Sequence, residues 1–132
     1  LDDGSVLLER QFRYPVGKVL MEIPAGKLDS KDEDPRKAAA RELLEETGAV
    51  AEELIELGMF LPACAYSDEA IHMYAAKSLT FREQKLDADE FLNVFTMPLE
   101  QAVEQVLSGE IWDAKTQTAL LKVWLLRQQG RL

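Results

Sequence analysis

The residues from Gly26 to Ala49 constrain this chain more than any other stretch: a glycine-containing loop runs into a segment carrying Glu42, Glu45 and Glu46. Asp34 suits a helix N-cap, Pro35 the first helical position, where its missing N–H is not needed, and Gly48 the left-handed residue after the last turn. The spacing predicts a helix of about three turns. At about 100° per residue, Leu43, Ala40, Thr47 and Leu44 share one arc, read as the core face. Glu45, Glu42 and Glu46 share the opposite arc, with Ala38 and Ala39 beside them.

Glu42 has Glu45 and Glu46 three and four residues ahead of it, so on an isolated helix each pair repels by roughly 0.2–0.5 kcal/mol. A solvated acidic face is the ordinary explanation of such a cluster. Here no lysine lies in the acidic arc to screen it, and the alanines leave room beside the carboxylates. Clustered carboxylates with space around them suit Mg²⁺, a hard cation that takes oxygen ligands, keeps waters and is shared with substrate phosphates.

The pattern Gly26…Glu33…Arg41-Glu42-Leu43-Leu44-Glu45-Glu46-Thr47-Gly48-Ala49 resembles the Nudix box, the signature of hydrolases that cleave nucleoside diphosphates linked to another group. Its second half matches residue for residue. In the first half Glu33 stands one residue further from Gly26 than is usual, which places an insertion in the loop, where it is most easily tolerated. Two flanking segments resemble the ADP-ribose and nucleotide-sugar pyrophosphatase branch. One is Gln11-Phe12-Arg13 and the other is Glu22-Ile23-Pro24-Ala25-Gly26. The resemblance implies substrate-binding roles for Arg13 and Glu22 and a metal-ligating backbone carbonyl at Ala25. A snorkelling strand edge for Arg13, and a charged residue on the solvent side of a strand for Glu22, are the structural alternatives. Branch members carry a further N-terminal strand region that builds a domain-swapped dimer. The expectation is therefore one domain over residues 1–132, lacking that region, that forms a homodimer.

The net charge of −9 argues against a broad nucleic-acid surface, since phosphate backbones are bound mainly through Lys and Arg. No apolar run approaches the roughly 20 residues of a membrane span. The single cysteine, Cys64, excludes an internal disulfide and suits a reducing cytoplasm; it reads as a buried, inert thiol.

Along the chain, strands are predicted over Ser5–Arg13, Val19–Gly26, Ile55–Leu61, Ile71–Lys77 and Phe91–Thr96, with Leu57, Met59 and Leu61 alternating against Glu56, Gly58 and Phe60. His72, the only histidine, reads as structural. A helix from Pro98 to Leu107, closed by Gly109, has Leu99, Ala102, Val103, Val106 and Leu107 as its apolar stripe. Asp113 caps a last helix to about Gln128, whose start, Asp113-Ala114-Lys115-Thr116, also resembles the branch. Trp112 and Trp124 read as core anchors. The loop 62–69 ends in Glu69, which matches the family's acidic substrate or metal-water contact. A second loop, 80–90, carries Asp87, Asp89 and Glu90, any of which can supply a general base opposite the helix glutamates.

Strands alternating with helices, with helices on both sides of one mixed sheet, give an α/β fold of the Nudix-type α/β/α sandwich. The resemblance implies hydrolysis of the pyrophosphate bond of ADP-ribose to AMP and ribose 5-phosphate, dependent on Mg²⁺ or Mn²⁺. Glu42, Glu46 and the Ala25 carbonyl would hold metal, with Glu45 a further ligand or water-orienting group. Arg41 reads as orienting Glu33 and Glu45 through charge-assisted pairs. Pyrophosphatase action on another nucleoside diphosphate sugar, and a non-catalytic nucleotide sensor, are the competing expectations.

Overall fold

The computed structural model describes residues 1–83 and 92–132. Among these residues, five strands and three helices follow in the order β1 (Ser5–Arg13), β2 (Lys18–Glu22), α1 (Pro35–Thr47), β3 (Ala49–Phe60), β4 (Ile71–Phe81), β5 (Leu92–Pro98), α2 (Leu99–Leu107) and α3 (Ala114–Gln128). The α/β class holds. Among the described residues, however, the strands fall into two antiparallel sheets, β2-β1-β5 and β3-β4, where the sequence reading expects one mixed sheet. Among the described residues every pairing is antiparallel.

α1 forms where its caps dictate. The Asp34 side chain accepts from the Arg36 N–H at 2.8 Å, Pro35 opens the helix, and Gly48 at φ 72° donates its N–H to Leu44 O. α3 begins in the same way, with the Asp113 side chain accepting from Thr116 N–H. The β2 ladder stops at Glu22, short of the predicted Gly26, so residues 23–28 cross from the sheet to α1 without strand pairing.

Two apolar clusters make the core. Leu8, Met97, Leu99, Ala102, Val103, Ile111 and Leu120 pack α2 and α3 on the first sheet. Leu57, Met73 and Ala119 join the second sheet to α3. Ala119 and Leu120, adjacent on α3, thus belong to different clusters, and Ile23 and Val123 touch both. α3 is the element that holds the two sheets in one body. α1 packs on the second sheet, and its Arg36 donates to Leu54 O at 2.7 Å.

Several expectations about side chains are corrected. The alternation predicted in β3 breaks at a bulge between Glu56 and Gly58, where Gly58 has φ 96°; Leu57 is buried, but Met59 and Leu61 turn outward. An extra residue in one strand shifts the inward phase by one. On α2, Leu107 is 69% exposed because the helix ends there, beyond the sheet. Trp112 is 55% exposed; its indole N–H donates to Gly109 O and Lys18 sits 4.5 Å over its ring. Trp124 does pack on the core. Cys64 is exposed, since it lies in the turn between β3 and β4, and His72 is exposed on β4.

Candidate active site

The Glu22–Gly26 segment and α1 meet edge to edge. Glu46, on the last turn of α1, is 2% exposed, and its Oε2 accepts the Ala25 N–H at 3.0 Å. One turn earlier, Glu42 lies against Gly26. The inward face therefore takes Glu42 and Glu46 from the acidic arc together with Leu43 and the buried Thr47 from the predicted core face, which is corrected at Ala40. Ala40 is exposed, while Ala38 and Glu46 are buried. The stripe that faces inward runs Pro35, Ala38, Ala39, Glu42, Leu43, Glu46, at helical spacing. Its small alanines let the helix come close.

Arg41 organises the rim of this arc. Its guanidinium donates to Glu33 at 3.2 Å, Glu42 at 2.9 Å, Glu45 at 3.0 Å and Lys27 O at 3.0 Å, and pairs with Asp29 at 3.2 Å. The hydrogen bond from Arg41, with that from Asp29 N–H, holds the Glu33 carboxyl below its ordinary range. Glu33, above all, drives the Arg41 value upward, so the guanidinium stays charged. Five partners on one fork lock the loop 27–33 to the helix, because guanidinium geometry is rigid and its donors are directed.

The predicted metal set is drawn together only in part. Among the described residues no three carboxylate, imidazole or thiolate side chains gather into one cation site. Glu42 and Glu45 share Arg41 Nη1, while Glu46 reaches the Ala25 amide. The three like charges are thus spread over a guanidinium and a backbone N–H. What converges on the Ala25–Gly26 backbone is a pair, Glu42 and Glu46, beside a segment whose peptide carbonyls are hard oxygen donors. Two carboxylates and a carbonyl fit a divalent cation that keeps waters and takes its remaining ligands from phosphate. The fit also needs Gly26, since a Cβ there would fall 1.9 Å from Glu42 Cδ.

A cleft of about 810 Å³ opens beside Glu42, lined by Ala25, Gly26, Glu42, Glu69, Lys115 and Leu120 among others. That volume accommodates a nucleotide-sized ligand. Glu69 stands on its exposed rim, its N–H donating to Ser67 Oγ at 3.0 Å. Asp87, Asp89 and Glu90 lie outside the described residues.

Arg13 and Glu22, read from the sequence as substrate-binding candidates, are given to each other. Arg13 Nε and Nη2 grip the two Glu22 oxygens at 2.7 Å, and Lys115 Nζ closes on the same carboxylate. Glu22 is 1% exposed and lies outside the cleft lining. Burial alone would raise its pKa; the bonds from Arg13 and Lys115 and their charges prevail and lower it. Lys115 also pairs with Asp113 at 3.0 Å. The branch-like start of α3 carried no role in the sequence reading. Its one local signal, the Asp113 cap, says nothing of a contact to residues 22–23.

This chain is similar to several known proteins. A family profile described as NUDIX domain matches residues 1–120. The ADP-ribose pyrophosphatase of Bacillus subtilis (strain 168) is 42% identical over 121 residues, 90% of this chain and 65% of that protein. The methanol dehydrogenase activator of Bacillus methanolicus is 40% identical with the same coverage. The ADP-ribose pyrophosphatase of Mycobacterium tuberculosis is 35% identical over 112 residues, 83% of this chain and 54% of that protein. The chain thus spans just under two thirds, or less, of the length of these relatives. A crystal structure of an ADP compounds hydrolase superposes with a TM-score of 0.83 at 24% identity, covering 98% of this chain and 70% of the other, which shows a shared fold. With the acidic turn of α1 folded onto the Ala25–Gly26 backbone and the family profile running over 120 of 132 residues, this chain belongs to the NUDIX family.

Proposed function

We propose that this chain hydrolyses the pyrophosphate bond of ADP-ribose, giving AMP and ribose 5-phosphate, with Mg²⁺ as its divalent ion and Mn²⁺ as a substitute. The observation that carries the reading is the Glu42–Glu46 pair set against the Ala25–Gly26 backbone, with Ala25, Gly26 and Glu42 lining the cleft. The relatives named ADP-ribose pyrophosphatase support the choice of substrate.

Glu42, Glu46 and the Ala25 carbonyl would hold the cation, and Glu45 would join them or orient water. When bound, a divalent cation neutralises diphosphate charge and acidifies a bound water. The chain's own part is positional. Glu46 is held by the Ala25 amide, Glu42 is seated by Gly26, and Arg41 keeps the loop 27–33 in register. One carboxylate of Asp87, Asp89 and Glu90 accepts the proton of the attacking water. Glu69 contacts substrate from the rim. Arg13 serves the substrate side through its hold on the β1–β2 hairpin and Glu22.

Residues 1–132 are taken as one domain, supported by the span of the family profile and by α3, which joins both core clusters. A homodimer in the cytoplasm belongs to the same reading; the lone cysteine suits that compartment. Among the described residues no helix is long and apolar enough to cross a membrane.

A second reading, another nucleoside diphosphate sugar, is favoured by relatives named GDP-mannose pyrophosphatase, one of them 31% identical over 123 residues. The test is product analysis after incubation with ADP-ribose and GDP-mannose, each with Mg²⁺ or with EDTA. Metal-dependent AMP and ribose 5-phosphate support the first reading. GMP and mannose 1-phosphate in their place select the second; no cleavage of ADP-ribose overturns the first, and no cleavage of GDP-mannose overturns the second as far as that sugar is concerned.

A further inference from the structure

Past Glu22 the chain leaves the β-ladder, and its backbone N–H groups need other partners. Between Ile23 and Ala25 there are only two, because Pro24 has none. They go to different helices. Ile23 N–H donates to Thr116 Oγ1 on α3 at 2.9 Å, and Ala25 N–H donates to Glu46 on α1 at 3.0 Å. Thr116 is fully buried. Its hydroxyl proton is spent on Asp113 Oδ2 at 2.6 Å, which leaves its lone pair for Ile23. Lys115, next to it, holds Glu22 and Asp113.

We propose that the first turn of α3 is a positioning element of the active site, with Thr116 as its central residue. Through the Asp113–Thr116–Ile23 chain of hydrogen bonds it ties the Glu22–Gly26 segment to α3, as Glu46 ties it to α1, and so sets the Ala25 carbonyl and the Glu46 contact in register. Hydrogen-bond partners that orient metal-binding groups from behind tune metal affinity. The inference rests on the hydrolase reading above for the identity of the ligands, and adds to it a residue 93 positions along the chain from Ile23.

The test compares the full chain with Thr116→Val, which keeps the shape and removes the acceptor, and with Thr116→Ser, which keeps the acceptor. Mn²⁺ affinity is measured by electron paramagnetic resonance without substrate, and amide exchange is followed at Ile23 and Ala25. Val103→Ala, a core change on α2 at a residue outside the Asp113–Thr116–Ile23 hydrogen bonds, controls for lost stability. Thr116→Val is expected to weaken Mn²⁺ binding about tenfold and to speed exchange at both amides. Thr116→Ser and Val103→Ala are expected to keep wild-type affinity. Should Thr116→Val not fold, Thr116→Cys, a weak acceptor of similar size, is expected to show the same change in smaller measure. Wild-type Mn²⁺ affinity in the valine variant, or in the cysteine variant standing in for it, overturns the inference even if Ile23 alone exchanges faster. Absence of Mn²⁺ binding by the wild-type chain overturns it together with the metal-dependent reading, whereas an unaffected variant of a metal-binding, hydrolytic wild type overturns this inference alone.

Discussion

Gly26 and Glu42 approach so closely that a Cβ on residue 26 would lie 1.9 Å from Glu42 Cδ and 2.2 Å from each carboxylate oxygen. The glycine is required by space, since its φ is not among the positive values in this chain. What it would strike is the end of a side chain rather than backbone, so the fold can yield. Gly26→Ala should therefore melt within a few degrees of the wild type while losing roughly 100-fold in kcat/KM, because a ligand shifted by an ångström costs on that order. Thermal melts beside steady-state kinetics decide it, and an alanine variant of normal activity would show that the Glu42 position is immaterial.

Glu46→Gln should preserve the acceptor for Ala25 N–H and remove only the charge. The expected result is a folded protein whose turnover falls by several kcal/mol of barrier, roughly 100-fold or more. Unchanged turnover at saturating Mg²⁺ would take Glu46 out of the mechanism.

Arg41 serves five acceptors with one planar fork, a task an ammonium cannot reproduce. Arg41→Lys should free the loop 27–33 and lower activity by about 10–100-fold. Limited proteolysis should then cut within 27–33 faster than in the wild type. Equal cleavage rates with normal activity would contradict the role given to Arg41.

Glu22 is buried with Arg13 and Lys115, and its folded pKa lies below the ordinary glutamate value of 4.5. A depressed carboxylate stabilises fully above its unfolded value, and that contribution fades as pH falls through the lower folded one. Denaturant melts of the wild type should therefore lose stability below about pH 4.5. Glu22→Gln should be less stable at pH 7 by about 3 kcal/mol or more, since it leaves two cations facing a neutral group, and should show a shallower acid slope. An identical slope in both proteins would exclude Glu22 as the titrating group.

The limits of α1 and α3 were legible because local chemistry decides them: Asp34, Pro35 and Gly48 each satisfy or spare a backbone group within a few residues. The Nudix box was legible for a similar reason, as Arg41 and its glutamates are neighbours on one helix and in the loop before it. Which face of α1 turns inward was not. Hydrophobicity pointed to Leu43, Ala40, Thr47 and Leu44, of which Thr47 is buried and Ala40 is exposed; the Ala25 amide and the small Ala38 and Ala39 draw Glu42 and Glu46 in as well, a preference that exists only once residues 22–26 lie alongside. Cys64 and Trp112 were misplaced as buried because composition does not say where a turn or a helix end meets solvent.

By itself the sequence determined the helix boundaries, most of the strands and the chemical identity of the acidic turn, since these depend on spacings of one to eight residues. The tertiary structure decided that Arg13 and Glu22 bind each other, that Thr116 carries the Ile23 amide, and that Glu42 and Glu46, but not Glu45, converge on Gly26 and Ala25. Contacts across up to 93 residues arise from how α3 clamps the two sheets, and packing of that kind is a property of the whole chain that no local pattern encodes.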